Sequence, residues 1–230
     1  MTKEKGFNVD KSWKGVIKWG GLSLFVSGLV PIIFILSIFI TQQTMPVPAK
    51  EALENPALPT NLFLLAAIGE SLLLPAGLAL YFSLKDVKKT PMFMATGLWL
   101  LAVPMFLASR GLIISLSQIS GRYMDTTNET MKAAYLASAE LAIETQNIYA
   151  TMALILLCVA SIIIGLVMLK GVFGKRIGYL VIVASIWTIF TPFGVIFMSI
   201  PFIIPFMGVI LSAVWQIIVG AKLYKLGKDV

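Results

Sequence analysis

Residues 19–40 run the thickness of a membrane without one charged side chain. A helix needs about 20 mostly apolar residues to cross the hydrocarbon core of a bilayer. A segment of this kind must be buried in lipid or in a very large core. The rest of the sequence decides between the two. Of 230 residues, 58% are hydrophobic and only 13% are charged, and the mean hydropathy is +0.92. Soluble domains carry about 25% charged residues. The composition therefore predicts an all-α, polytopic integral membrane bundle forming one transmembrane domain over 1–230.

Six spans are expected, at 19–40, 61–84, 92–118, 148–169, 177–195 and 203–221. Pro192, Pro201 and Pro205 are expected to mark the turn between the last two. Of the 18 Lys and Arg residues, most fall in four segments: before the first span, between the second and third, between the fourth and fifth, and after the sixth. The other side carries only Lys50, Arg122 and Lys132. The positive-inside rule then places both termini in the cytoplasm and the chain in the cell membrane. The net charge of +7 reads as an orientation signal. Anionic lipid headgroups are its expected partner, rather than nucleic acid.

Residues 1–18 form a cytoplasmic lead-in, where Trp13 and Trp19 alternate with lysines as at a membrane interface. The first apolar stretch exceeds a signal-peptide core of about 7–15 residues, so it is expected to be retained. Residues 41–60 contain Pro46, Pro48, Pro56 and Pro59 and predict an irregular outer loop. Thr126 and Glu129 fit a capping box opening a long fourth helix. With no Gly or Pro before Gly165, that helix can reach roughly 60 Å. It should project on the outer side, making an outer hairpin of 119–147. Asn128-Glu129-Thr130 is a glycosylation sequon on its turn. Residues 222–230 form a cytoplasmic tail.

The sequence contains no histidine and one cysteine, Cys158. That removes imidazole bases, His-ligated metals and intrachain disulfides. Met92-Phe93-Met94 has a soft-metal spacing, but methionines in so apolar a chain serve as gap fillers. No phosphate-binding glycine loop and no Ser–Lys pair within the spans is present. The expectation is a non-catalytic protein without metal or cofactor.

Charges inside a span are costly and mark candidate sites. Glu70 should lie roughly 21 Å above Leu84, Arg110 roughly 28 Å above Pro91, and Glu144 roughly 37 Å above Leu169. Glu140, Glu144, Asn147 and Thr151 share one helical face. Cys158, Ser161 and Gly165 continue it downward. If that face looks inward, the six residues Glu70, Arg110, Glu140, Glu144, Asn147 and Thr151 line an outward-opening polar cavity. Alternatively, Glu70 and Arg110 only fix helix pairing, and Glu140 and Glu144 face water. Gln216 is expected to make a hydrogen bond between helices. Gly20, Gly21, Ser27 and Gly28 suit close helix packing. Pro75 and Pro104 predict kinks, and a carbonyl freed near Pro75 lies close to Glu70.

Several junctions resemble one family. They are Leu80-Tyr81-Phe82-Ser83-Leu84-Lys85, then Leu166-Val167-Met168-Leu169-Lys170 leading to Gly174-Lys175-Arg176-Ile177-Gly178-Tyr179-Leu180, and finally Val214-Trp215-Gln216-Ile217-Ile218-Val219-Gly220-Ala221-Lys222. In this layout the chain is similar to the multi-pass bacterial and archaeal membrane family known as domain of unknown function 4386. The resemblance implies six or seven membrane helices and carries no catalytic residues. Two functions are expected. The first is an accessory or structural subunit of a membrane complex, whose partners are other membrane subunits or a second copy. The second is a protein that binds or transports a small solute or lipid headgroup through the Glu/Arg cavity.

Overall fold

The computed structural model describes residues 11–41, 47–170, 173–198 and 203–229; for 11, 191–198, 203–205 and 229 it describes the backbone alone. A turn of 3-10 helix, Lys11–Trp13, opens into α1 (Lys14–Thr41). Then come α2 (Ala49–Glu54), α3 (Ala57–Ser71), α4 (Leu73–Leu84), α5 (Lys89–Asp125), α6 (Glu129–Met168), α7 (Lys175–Met198) and α8 (Ile203–Asp229). No strand occurs among the described residues. In lipid, a spanning segment must satisfy its own backbone hydrogen bonds, and a helix does so internally.

Five helical segments among the described residues are long and apolar enough to cross a membrane: α1, the α3–α4 unit, α5, α6 and α8. Segment 177–195, the expected fifth span, lies within α7, part of which falls outside the described side chains. Pro192 and Pro205 lie within the bounds of α7 and α8, not at a turn; Pro201 is outside the described residues. Large apolar side chains such as Ile40 (81% exposed) and Phe93 (70%) cover the outer surface. The helices are apolar on both sides, as expected for lipid-facing elements.

Small residues set the packing. On α1, Gly20 faces Pro75 and Ala79 of α4, while Gly21 and Gly28 face α8. A Cβ on Gly21 would lie 2.7 Å from Leu223 Cβ, and one on Gly28 would lie 3.0 Å from Gln216 Cβ. From the other side, Gly220 meets Phe25 and the Gly21 carbonyl, and Gly227 meets Lys18. The seven-residue spacing on both helices keeps these glycines on one antiparallel seam. α6 and α7 meet likewise, where a Cβ on Gly165 would lie 2.7 Å from Ile182 Cγ1. α5 and α6 form a long antiparallel hairpin. Pro104 lies inside α5 without ending it.

The basic segments collect at one end. Trp13 stacks on Phe82 at 3.7 Å between ring centroids. Lys85 Nζ lies 5.9 Å from the Trp13 ring centroid and Lys18 Nζ lies 5.8 Å from that of Tyr224. Lys222 Nζ donates to the Phe173 carbonyl at 3.5 Å. Trp19 and Tyr179 are exposed at the same end.

The opposite end differs from expectation in two places. Within 41–60, residues 49–54 form α2, and α3 begins at Ala57 behind Pro56. Prolines at the start of a helix need no amide hydrogen there, so the Pro48 and Pro56 spacing starts helices where a loop was expected. Leu53 is fully buried against a small core of Ile113, Leu116 and Ala139, and the Ser120 hydroxyl donates to the Leu53 carbonyl. At the α5–α6 turn, Asn128 caps α6, not Thr126. Its Oδ1 accepts from the amides of Thr130 and Met131 at 2.9 and 3.3 Å. Thr126 Oγ1 accepts instead from the Asn128 amide at 3.3 Å. Glu129 becomes the first helical residue and pairs with Lys132 at 3.5 Å.

Candidate functional site

The site begins at a break in a helix. α3 ends at Ser71 and α4 starts at Leu73. Pro75 has no amide hydrogen to give the Ser71 carbonyl, and its ring crowds that turn. The Leu73 carbonyl, at the first turn of α4, accepts from Trp99 Nε1 at 2.8 Å. The indole fits because residue 77 is glycine: a Cβ there would lie 2.7 Å from Trp99 Cδ1. Trp99 is fully buried and meets Trp215 of α8 edge-on, at 6.3 Å between centroids.

Glu70 lies just before this break, facing Arg110 of α5. Arg110 Nε donates to both carboxylate oxygens at 3.1 Å, and a terminal nitrogen donates to Oε1 at 2.6 Å. Both side chains are 15% exposed. The Arg110 guanidinium carbon lies 5.3 Å from the Phe63 ring centroid and 5.8 Å from that of Phe106. Two charges are thus taken out of water, closed on each other and flanked by aromatic rings. Such a pair contributes little net stability, but losing one partner costs about 3–5 kcal/mol.

The pair forms part of the wall of a partly open cavity of about 430 Å³ between the helices. Most of the lining is apolar, including Phe34, Leu73, Leu157 and Trp215. The polar wall groups besides the pair are Ser27, Cys158, Ser161, Ser185, Thr188, Ser212 and Gln216. The volume falls within the ~300–1,000 Å³ typical of pockets that enclose a ligand. Among the described residues, no group of three or more His, Cys, Asp or Glu is placed to hold a metal.

Of the six residues expected around the cavity, the structure brings together Glu70 and Arg110. Glu140, Glu144 and Asn147 are exposed, Thr151 is half-buried, and none of the four lines the cavity. The reason is what covers α6 at that height. There it packs on α2 and α5 through Ala139, with Gln146 also buried, about 100° round the helix from the predicted face. Lower down, Cys158 and Ser161 of the predicted stripe do reach the cavity. Met92 is buried and Met94 exposed, so the two do not converge on one ion. Gln216 meets α1 at Gly28 through its Cβ. Its carboxamide oxygen is fully enclosed and has no hydrogen-bond partner among the described residues, so the expected bond between helices is not made there.

The wall hydroxyls on α7 and α8 were missed by sequence reasoning. Ser185 donates to Val181 O at 2.7 Å, and Thr188 donates to Ala184 O at 2.8 Å. Thr188 also lies 3.1 Å from Ser212 Oγ. Their signal would have been serine and threonine recurring every three or four residues within an apolar run.

These features define an all-helical chain, among the described residues, with five segments long and apolar enough to cross a membrane and a mostly apolar, partly open cavity between them. No family model matches the chain, and no curated protein or solved structure matches it either. The likeness to domain of unknown function 4386 therefore lends no support to a functional assignment, which rests on the cavity and its wall.

Proposed function

We propose that the chain is a non-catalytic integral membrane protein that binds an amphiphile with a hydrocarbon chain inside its bundle. The observation that carries this is the cavity of about 430 Å³, apolar over most of its wall and bearing the Glu70–Arg110 pair. Apolar lining with a few placed polar groups is the usual design of a small-molecule site. A small polar solute would leave most of that wall unmatched. The gathering of basic segments at one end supports placing that end, with both termini, in the cytoplasm of a cell-membrane protein. There the lysines would meet anionic headgroups.

The test is to purify the protein in mild detergent and weigh the intact particle by native mass spectrometry. A bound amphiphile is expected in the wild type. Its loss is expected when the cavity is filled by Ser161→Phe or Cys158→Phe. A wild-type protein without bound amphiphile would remove the reading.

One observation favours a second reading, an accessory subunit of a membrane complex or a homo-oligomer. Leu141 and Met131 are exposed on α6. Leu141 lies about 40 Å along the helix from Met168, beyond a hydrocarbon core of about 30 Å. Co-purification of another chain, lost on Leu141→Glu, is the outcome this reading expects.

A further inference from the structure

The contact between Glu70 and Arg110 uses one edge of the guanidinium and leaves another open. An arginine carries five N–H donors in one rigid plane. Glu70 takes the donor on Nε, at 3.1 Å to each carboxylate oxygen, and one on Nη2, at 2.6 Å. The second Nη2 hydrogen and both on Nη1 make no hydrogen bond among the described residues. They form the end of the fork, where two N–H groups point the same way. Arg110 lines the cavity, and among the described residues only Gln216 Oε1 is an enclosed side-chain polar atom without a partner, so the open end of Arg110 is within reach.

Two further wall groups have unspent donors. Ser27 is 5% exposed, lines the same cavity, and its hydroxyl has no partner among the described residues. Gln216 has its oxygen enclosed, which leaves its amide nitrogen, a donor, as the end that can be reached. By contrast, Ser161, Ser185 and Thr188 already donate to carbonyls of their own helices, and Ser212 lies 3.1 Å from Thr188 Oγ1. Gly69, beside Glu70, packs on Val30, and Gly28, beside Ser27, packs on Gln216. The open donors therefore gather within about one turn of each other along α1. Beyond them, toward the end of α1 and the start of α8, the lining is apolar: Phe34, Ile35, Ile38, Phe206 and Val209.

We infer that the cavity holds an uncharged, carbonyl-headed single-chain amphiphile, with its carbonyl oxygen on the open end of the Arg110 guanidinium and its chain along the apolar lining toward Phe206. This rests on the amphiphile-binding reading and assigns the head chemistry and the direction of the chain. A carbonyl oxygen has two lone pairs for the two N–H groups and brings no charge. A carboxylate fits the same edge but sets a second negative charge beside Glu70, away from water. An ammonium has no lone pair to give the edge, and a hydrocarbon leaves it empty.

The experiment keeps the chain similar and changes the head. The purified protein in detergent is equilibrated with methyl laurate, tridecane, laurate or laurylamine, and saturable retention is measured against empty micelles. Methyl laurate is expected to be retained about 10-fold better than tridecane, the yield of a hydrogen bond from a charged donor. Laurate and laurylamine are expected to be retained less than the ester. In Glu70→Leu/Arg110→Met, which removes the donors without stranding a charge, the preference for ester over hydrocarbon is expected to fall below about 2-fold. The infrared carbonyl band of bound, isotope-labelled methyl laurate is expected below its frequency in empty micelles. Equal retention of ester and hydrocarbon by the wild type overturns the head assignment and leaves amphiphile binding standing. So does better retention of either charged head, a preference that survives in the folded double variant, or a carbonyl band at the micelle frequency. The band and the wild-type comparisons decide even if the double variant does not fold. Saturable retention of none of the four overturns the amphiphile reading itself.

Discussion

The indole of Trp99 closes the break between α3 and α4 by donating to the carbonyl of Leu73 at 2.8 Å, from a ring that lies against Gly77. Glu70, three residues before Leu73 and just ahead of the break, makes its ion pair with Arg110 of the same helix, α5, that carries Trp99. Trp99→Phe keeps most of the ring and removes the indole donor to the Leu73 carbonyl. The expected loss is about 0.5–1.5 kcal/mol of stability. It would be read as a lower unfolding midpoint in detergent, and an unchanged midpoint would argue against the role.

The ion pair predicts a non-additive pattern. Arg110→Met alone leaves a buried carboxylate without its partner and is expected to cost about 3–5 kcal/mol. Glu70→Leu alone strands the guanidinium and costs a similar amount. The double variant Glu70→Leu/Arg110→Met is expected to recover most of the wild-type stability. A thermal-unfolding double-mutant cycle measures the coupling. A double variant as unstable as the sum of the singles would contradict this account of the pair.

Glycine substitutions should divide sharply by position. Gly21→Leu and Gly220→Leu place side chains into backbone contacts on the α1–α8 seam. They are expected to prevent a monodisperse folded protein, seen as aggregation in size-exclusion chromatography. Gly97 and Gly111 have open space where a Cβ would go. Gly97→Ala and Gly111→Ala are expected to be neutral or to raise stability by about 0.5–1 kcal/mol.

The cap at the α5–α6 turn gives a local prediction. Asn128→Ala removes the acceptor for two amides and is expected to cost about 0.5–2 kcal/mol. Thr126→Ala should cost less, since Thr126 caps no helical amide. Hydrogen exchange at Thr130 and Met131 reports the difference directly. Faster exchange in the Thr126 variant than in the Asn128 variant would restore Thr126 as the cap.

Much of the frame was readable from the residues alone. The uncharged run 19–40 lies within α1, and the pair of opposite charges placed within spans two and three does meet. Both follow from one strong rule, the cost of an unpaired charge away from water. The face through Glu140, Glu144, Asn147 and Thr151 had a sound helical period. What the period could not supply is the position of the neighbours, since α2 and α5 cover α6 from another side. The wall hydroxyls of α7 and α8 were harder still. In a helix that is apolar all round, a serine facing a cavity and a serine facing lipid have the same sequence surroundings. α2 was missed because four prolines suggested a loop, although two of them stand at helix starts.

The glycine seam between α1 and α8 has a consequence for how the protein is made. α1 is synthesised first of these helices and α8 last. At about 5–20 residues per second, α1 waits roughly 10 to 40 s before the helix that fits it exists. During that time Gly21 and Gly28 present a narrow, unmatched groove to the surrounding lipid or to whatever inserts the chain. The cavity cannot close before then either, because Trp215 and Gln216 of its wall arrive with α8. Any ligand that fills it must enter after the last helix docks or be enclosed as it docks.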